Sequence, residues 1–392
     1  MKLKQVFAEK NIIVQILFIV IFLQFVSTLQ TNKPRFFCGP VVSQFGLFKI
    51  SVLCDSSHYL LAAQNPGRLL NYSIDPNYYG SPLQDRPLAP LLAYLLSLIL
   101  KKIPGLDYYV NYTGKDNILM SYSFSVYIAY LILNLAILYF TVILTLDLMK
   151  SKPKPLRLII VMYLSFNQLT QNYFWIPNTV LMNNLFAVLL FKYFHNFDLN
   201  KKNAFYKYIF SFTILSMYYP IFIFGVLVIL LFDLTMKTYS KTFFMTTATI
   251  SFFYFYVTIL NYFGTYENNP GQAGYFSWLL DFRSFNDLVH SVRLNIMSLL
   301  VSFSILQILF FVWVLFTGRL KRRFLCVFLL YLGYVFSLGV FDYRYNVGLT
   351  TFLFLSYLSS NNSIENKATK IITYGASFSY LLYAFLAVGT TY

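Results

Sequence analysis

Residues 122–148 read YSFSVYIAYLILNLAILYFTVILTLDL, an apolar run whose one charge, Asp147, lies at its far end. About 20 apolar residues let a helix cross the hydrocarbon of a bilayer, and comparable runs recur along the 392 residues of the chain. Hydrophobic residues make up 58% of the sequence and charged ones 11%, against roughly 25% charged in ordinary soluble domains. So few charges cannot cover a soluble protein of this length. The expectation is an all-α, polytopic membrane protein.

Working outward from that run, the further candidate spans are 157–173, 178–194, the pair 208–219 and 221–235 broken at Pro220, 242–264, 293–316, 324–340, 345–360 and 371–390. The run Asn11–Leu29 follows a basic head and shows no small-x-small cleavage site, so it reads as a retained signal anchor with a cytoplasmic N-terminus. Residues 87–103, PLAPLLAYLLSLILKKI, are read as a helix lying on the outer surface. Were they to span, the next helix would deliver KSKPKPLR to the outside. About eleven crossings result, within a range of 10 to 12.

Charge tests this topology. The inner loops hold 19 basic and 5 acidic residues and the outer segments 11 and 9, the asymmetry expected of a membrane protein. The net charge of +16 is therefore topological, and no nucleic-acid partner is expected. The chain reads as one membrane domain, 1–392, with two long outer loops, 30–121 and 265–292. The first is apolar at 45–53 and 87–103, which suggests interfacial helices and an ordered outer cap. Cys38 and Cys54 share that loop and can pair if it faces an oxidising compartment. Cys326 opens a hydrophobic helix and reads as packing.

The polar chemistry gathers in the first loop. In KISVLCDSSHY, Asp55 should emerge at the membrane–water boundary, with Tyr59, Ala62 and Ala63 following at helical spacing. Asp55 is either the cap of a short helix or a carboxylate whose partial desolvation raises its basicity for proton abstraction. His58 lies beside it. In QDRPLAPLLAYLL, Asp85 and Arg86 precede a Pro-rich helix start, either as an interfacial ion pair or with the guanidinium set to bind phosphate. In SLGVFDYRYNVGL, Asp342 and Arg344 sit at an outer end, as turn residues or with Arg344 as a second phosphate ligand. No HExxH, HxxxH or CxxC pattern occurs and Ser56 follows Asp55, so no dedicated metal site is visible. A divalent metal stays open and no other cofactor is implied. The absence of a Gly-rich phosphate loop and of GxSxG excludes P-loop ATPases and α/β-hydrolases.

These residues resemble the GT-C membrane glycosyltransferases. DSSHYLLAA (Asp55, Tyr59, Ala63) is similar to their early Asp-x3-Tyr-x3-Ala, and RPLAPLLAYLL (Arg86, Pro87, Pro90, Leu91) to the Arg/Lys-Pro-x2-Pro-Leu helix that follows. NYFWIPNTVLMNNLFAVLLFKYF resembles their Pro-led fourth-helix region, and DYRYNVGL the late outer-loop arginine. The resemblance implies transfer of a sugar from a polyprenyl-phosphate-linked donor to a glycan, lipid or protein acceptor, on the extracytoplasmic side of a bacterial inner membrane. Mannosyl- or arabinosyltransferases are the nearest analogues. It further implies Asp55 as the general base of an inverting reaction, with Arg86 and Arg344 stabilising the leaving phosphate. Tyr59, His58 and Asp85 complete the candidate substrate site, and no metal ligand is assigned. Aromatic segments such as SMYYPIFIFGVL can flank a prenyl chain.

Two other classes stand beside this one. A polysaccharide polymerase or ligase also uses outer-face arginines. For a transporter or lipid-linked-sugar flippase, ion coupling usually needs ionisable residues near mid-membrane. The spans offer only amides there, such as Asn134, Asn183, Asn184 and Asn295, which counts against proton coupling but not against a lipid flippase.

Overall fold

The computed structural model describes residues 41–45, 48–51, 54–69, 86–113, 119–196, 202–234, 289, 292–293, 305–316, 320–337, 343–360 and 374–375. The anchor Asn11–Leu29, the span 242–264, nearly all of 371–390 and of the loop 265–292, Cys38 and Asp85 lie outside the described residues. Within them the chain is mostly helical. Among the described residues one helix, Phe124–Leu148, is by itself long and apolar enough to cross a membrane; Leu88–Leu100, Ile221–Phe232 and Val347–Ser360 are apolar but shorter.

The first long loop departs from the all-α expectation, because it carries two antiparallel hairpins. Strands β1 (Val41–Phe45) and β2 (Phe48–Ser51) pair Phe45 with Phe48, while β3 (Tyr109–Thr113) and β4 (Leu119–Ser123) pair Tyr109 with Ser123. Only two residues separate Phe45 from Phe48, the first a glycine in the sequence, which suits the tightest hairpins. The apolar stretch 45–53, expected to be helical, instead supplies β2. Its β-branched and aromatic residues favour a pleated surface over a single helical turn.

Between the hairpins lie α1 (Cys54–Gln64), a 3-10 turn (Pro66–Leu69) and α2 (Leu88–Leu100). At 1.5 Å per residue α2 is about 20 Å long, short of the roughly 30 Å of bilayer hydrocarbon. One side of α2 is buried through Ala89, Pro90, Ala93 and Ser97, while Leu95 and Ile99 are exposed. The alanines there, with Ala62 and Ala63 buried on α1, let the two helices pack closely.

Helix α3 (Phe124–Leu148) runs directly from β4. The expected span 157–173 is broken at Asn167 into α4 (Lys154–Phe166) and α5 (Gln168–Tyr173). The Asn167 side chain caps α5 by accepting from the Thr170 amide at 2.9 Å. Asn134, buried in mid-α3, donates to the carbonyls of Phe174 at 3.0 Å and Ile176 at 3.1 Å. It thereby satisfies orphan carbonyls where α5 ends. Helix α6 (Met182–His195) follows, then α7 (Lys202–Ser216) and α8 (Ile221–Leu234), which meet at the expected break around Pro220.

The later helices are α9 (Ile305–Phe316), α10 (Arg322–Ser337) and α11 (Tyr343–Ser360). The core is aromatic. On α6, Phe186 meets Phe222 and Tyr331 edge-on at 5.3 and 5.4 Å, and Phe191 stacks on Phe324 at 5.5 Å. Helix α6 packs extensively on α11 and also on α3, which makes it the central post. Cys326, expected to pack, is exposed on α10.

Candidate functional site

The site forms where α1, the start of α2, the turn before α6 and the α7–α8 turn converge. Tyr59 projects from α1 into the core, 1% exposed. Its ring meets that of Tyr130 edge-on at 6.0 Å, and the Tyr130 hydroxyl donates to the Tyr59 carbonyl at 3.1 Å. The position of the Tyr59 phenol is thus fixed from α3.

Arg86 precedes Pro87 and Leu88 at the start of α2. The Leu88 amide donates to the Met217 carbonyl at 3.2 Å, tying this start to the α7–α8 turn. Arg86 Nη1 donates to the Tyr59 hydroxyl oxygen at 2.9 Å and to Thr179 Oγ1 at 3.3 Å, and its guanidinium lies 5.0 Å from the Tyr219 ring centroid. The cation–π contact and the two hydrogen bonds hold a cation among four separate segments.

Thr179 reaches this point because its turn is pinned. The Asn178 side chain accepts from the amides of Thr179 and Val180, and the Tyr127 hydroxyl donates to the Trp175 carbonyl at 2.7 Å. The hydroxyls of Tyr59 and Thr179 are 3.0 Å apart. On the far side, Asn183 donates to the Tyr219 hydroxyl at 3.2 Å.

Of the residues singled out in sequence, the structure brings together Tyr59 and Arg86. Asp55 and His58 are backbone residues of α1. Asp55 lies in its first turn, so it follows the helix start at Cys54 instead of capping it from outside. Arg344 lies in the first turn of α11, not in a turn between helices. The side chains of Asp55, His58 and Arg344, like the whole of Asp85, lie outside the description. Thr179, Tyr218 and Tyr219 were not foreseen. Their signals were the Pro-led IPNT, read as part of the fourth-helix resemblance, and the tyrosine pair in MYYP, read as an aromatic flank for a prenyl chain; neither reading singled out a side chain. Among the described residues, no group of three or more His, Cys, Asp or Glu can hold a metal ion.

Asn134 and Asn184, offered in sequence as mid-membrane polar groups, are engaged within the protein: Asn134 with the α5 end, Asn184 with Thr170 and Asn167. No family model, curated protein or solved structure matches the chain.

The opposite end of the bundle is basic. His195 closes α6, 2.8 Å from Ser359 on α11, and the Lys321 amide donates to Ser360 at 3.2 Å. Burial, then the charges of Arg323, Lys321 and Lys152, holds the His195 imidazole below its ordinary range. Polar ends of different character therefore bracket α6, which at 14 residues is about 20 Å long.

Proposed function

We propose that the protein is a multi-pass membrane glycosyltransferase of GT-C type, working at the extracytoplasmic face on a polyprenyl-phosphate-linked sugar. The observation that supports it most is the 2.9 Å contact of Arg86 with Tyr59. The two sequence stretches that carry the resemblance, DSSHYLLAA and RPLAPLLAYLL, meet through a charged side chain one helical turn from Asp55.

In the proposed reaction the acceptor hydroxyl oxygen attacks the anomeric carbon on the face opposite the phosphate. Asp55 takes the hydroxyl proton as the new glycosidic bond forms and the bond from carbon to phosphate oxygen breaks. The leaving polyprenyl phosphate gains negative charge, which Arg86 and Arg344 stabilise at headgroup depth. An arginine fixed beforehand by Tyr59, Thr179 and Tyr219 needs little reorganisation as that charge develops.

The test is transfer by purified protein from a panel of polyprenyl-phosphate sugars to a mixed acceptor pool, read as release of polyprenyl phosphate together with a glycosylated product. Both products are expected from at least one donor. Movement of an intact lipid-linked sugar across a vesicle bilayer, without either product, would replace the transferase by the flippase reading.

A further inference from the structure

Tyr218 stands next to Tyr219 in the turn that Met217 ties to the start of α2. It is 3% exposed, yet its hydroxyl has no hydrogen-bond partner among the described residues. Its phenol lies within electrostatic reach of both Tyr59 and Tyr130, so it borders the Arg86 cluster. A buried hydroxyl left unmatched costs stability, and such groups call for an explanation.

The neighbouring pair has a surplus of its own. Tyr59 and Thr179 each bring one hydroxyl hydrogen, and both oxygens accept from Arg86 Nη1. Their mutual contact at 3.0 Å consumes one of the two hydrogens, whichever residue donates. The other has no acceptor among the described residues. The cluster therefore presents a hydroxyl hydrogen from Tyr59 or Thr179, a second from Tyr218, and the positive charge of Arg86. A set so rich in donors suits a ligand that only accepts, such as an anionic phosphate oxygen.

Taking the site to hold a phosphate-linked donor, as proposed above, we infer that Tyr218 and the Tyr59–Thr179 hydroxyl pair are ligands of that phosphate, acting with Arg86. Tyr218 is a binding residue whose hydroxyl is left unmatched in the free protein and matched by the ligand. Thr179 both orients Arg86 and supplies or relays a hydrogen.

The experiment is equilibrium binding of farnesyl phosphate, inorganic phosphate and farnesol to the purified full chain in detergent, with thermal melting of the free protein alongside. Wild type should bind farnesyl phosphate, and inorganic phosphate too if the site reads phosphate alone; farnesol should bind more weakly than farnesyl phosphate. Tyr218→Phe should weaken farnesyl phosphate by about 10-fold or more, the usual value of a hydrogen bond to a charged group. It should leave the melting midpoint of the free protein unchanged or higher, because it deletes an unmatched group. Thr179→Val should also weaken binding, and Thr179→Ser should restore it. Undiminished phosphate binding in Tyr218→Phe would overturn the inference while leaving the transferase proposal standing. Equal binding of farnesol and farnesyl phosphate by wild type would overturn the phosphate site itself.

Discussion

Arg86 Nη1 lies 2.9 Å from the Tyr59 hydroxyl oxygen and 3.3 Å from Thr179 Oγ1, so one cation joins segments 27 and 93 residues away in sequence. Its planar, forked donor set spans two oxygens from one nitrogen while the plane remains over the Tyr219 ring. Arg86→Lys keeps the charge and loses that geometry. It should lower transfer by about 10-fold or more, on the scale of hydrogen bonds to charged groups, with the fold retained. Activity equal to wild type would mean that only net charge matters at this position.

The close packing around Phe186 gives a test of the fold. A Cβ on Gly225 would stand 2.7 Å from the rings of both Phe186 and Phe212, which are fully buried. Neither ring is a flexible end, so relief requires α8 to move outward. Gly225→Ala should destabilise the protein by about 1–3 kcal/mol, the range for overpacked cores. A lowered melting midpoint in detergent is the readout, and an unchanged one would show that α8 does not approach these rings.

Much of this was legible in the sequence, and the limits have physical causes. The apolar run of α3 and the break at Pro220 follow from hydropathy and from a residue that cannot donate. Tyr59 and Arg86 stood out because a charged or spaced polar residue in an apolar chain is conspicuous. Thr179 and Tyr219 did not, being neutral residues that acquire their role only through long-range contact. The hairpins were missed because their strands, 41–45, 48–51, 109–113 and 119–123, are runs of four or five residues, too short for periodicity alone to separate from helix. The break at Asn167 was also hidden. It rests on the Asn167 side chain capping the Thr170 amide, while the carbonyls left where α5 ends are satisfied by Asn134, 40 and 42 residues away.

The proposed membrane topology predicts opposite labelling of two exposed positions. In a chain whose three cysteines are changed to serine, Asp107→Cys should react with a membrane-impermeant maleimide in intact spheroplasts. Lys150→Cys should react only after permeabilisation. Lys150 is highly exposed and only loosely paired with Asp147 at 3.5 Å, so its replacement should be benign. Labelling of Lys150→Cys in intact spheroplasts would invert the proposed orientation.

His195, just beyond the expected span 178–194, supplies a pH dependence. Burial and the positive charges of Arg323, Lys321 and Lys152 depress its native proton affinity. Below the ordinary histidine value of about 6.5, the unfolded chain therefore binds the proton first. The contribution to stability is complete above that pH and is lost as pH falls through the depressed native value. The melting midpoint should drop on acidification below about pH 6.5, and drop less in His195→Gln. Identical pH profiles for the two proteins would rule this contribution out.

The central claim is that Asp55, one turn before Tyr59 on α1, is the base of a sugar transfer. The most direct measurement compares wild type with Asp55→Asn in transfer from the preferred polyprenyl-phosphate sugar. Asparagine is nearly isosteric, yet it cannot take a proton at neutral pH. A loss of about 100-fold or more is expected, within the usual range for a general base, with melting and farnesyl phosphate binding intact. Equal activity in the two proteins would contradict the assignment, reducing Asp55 to a residue that steadies the start of α1.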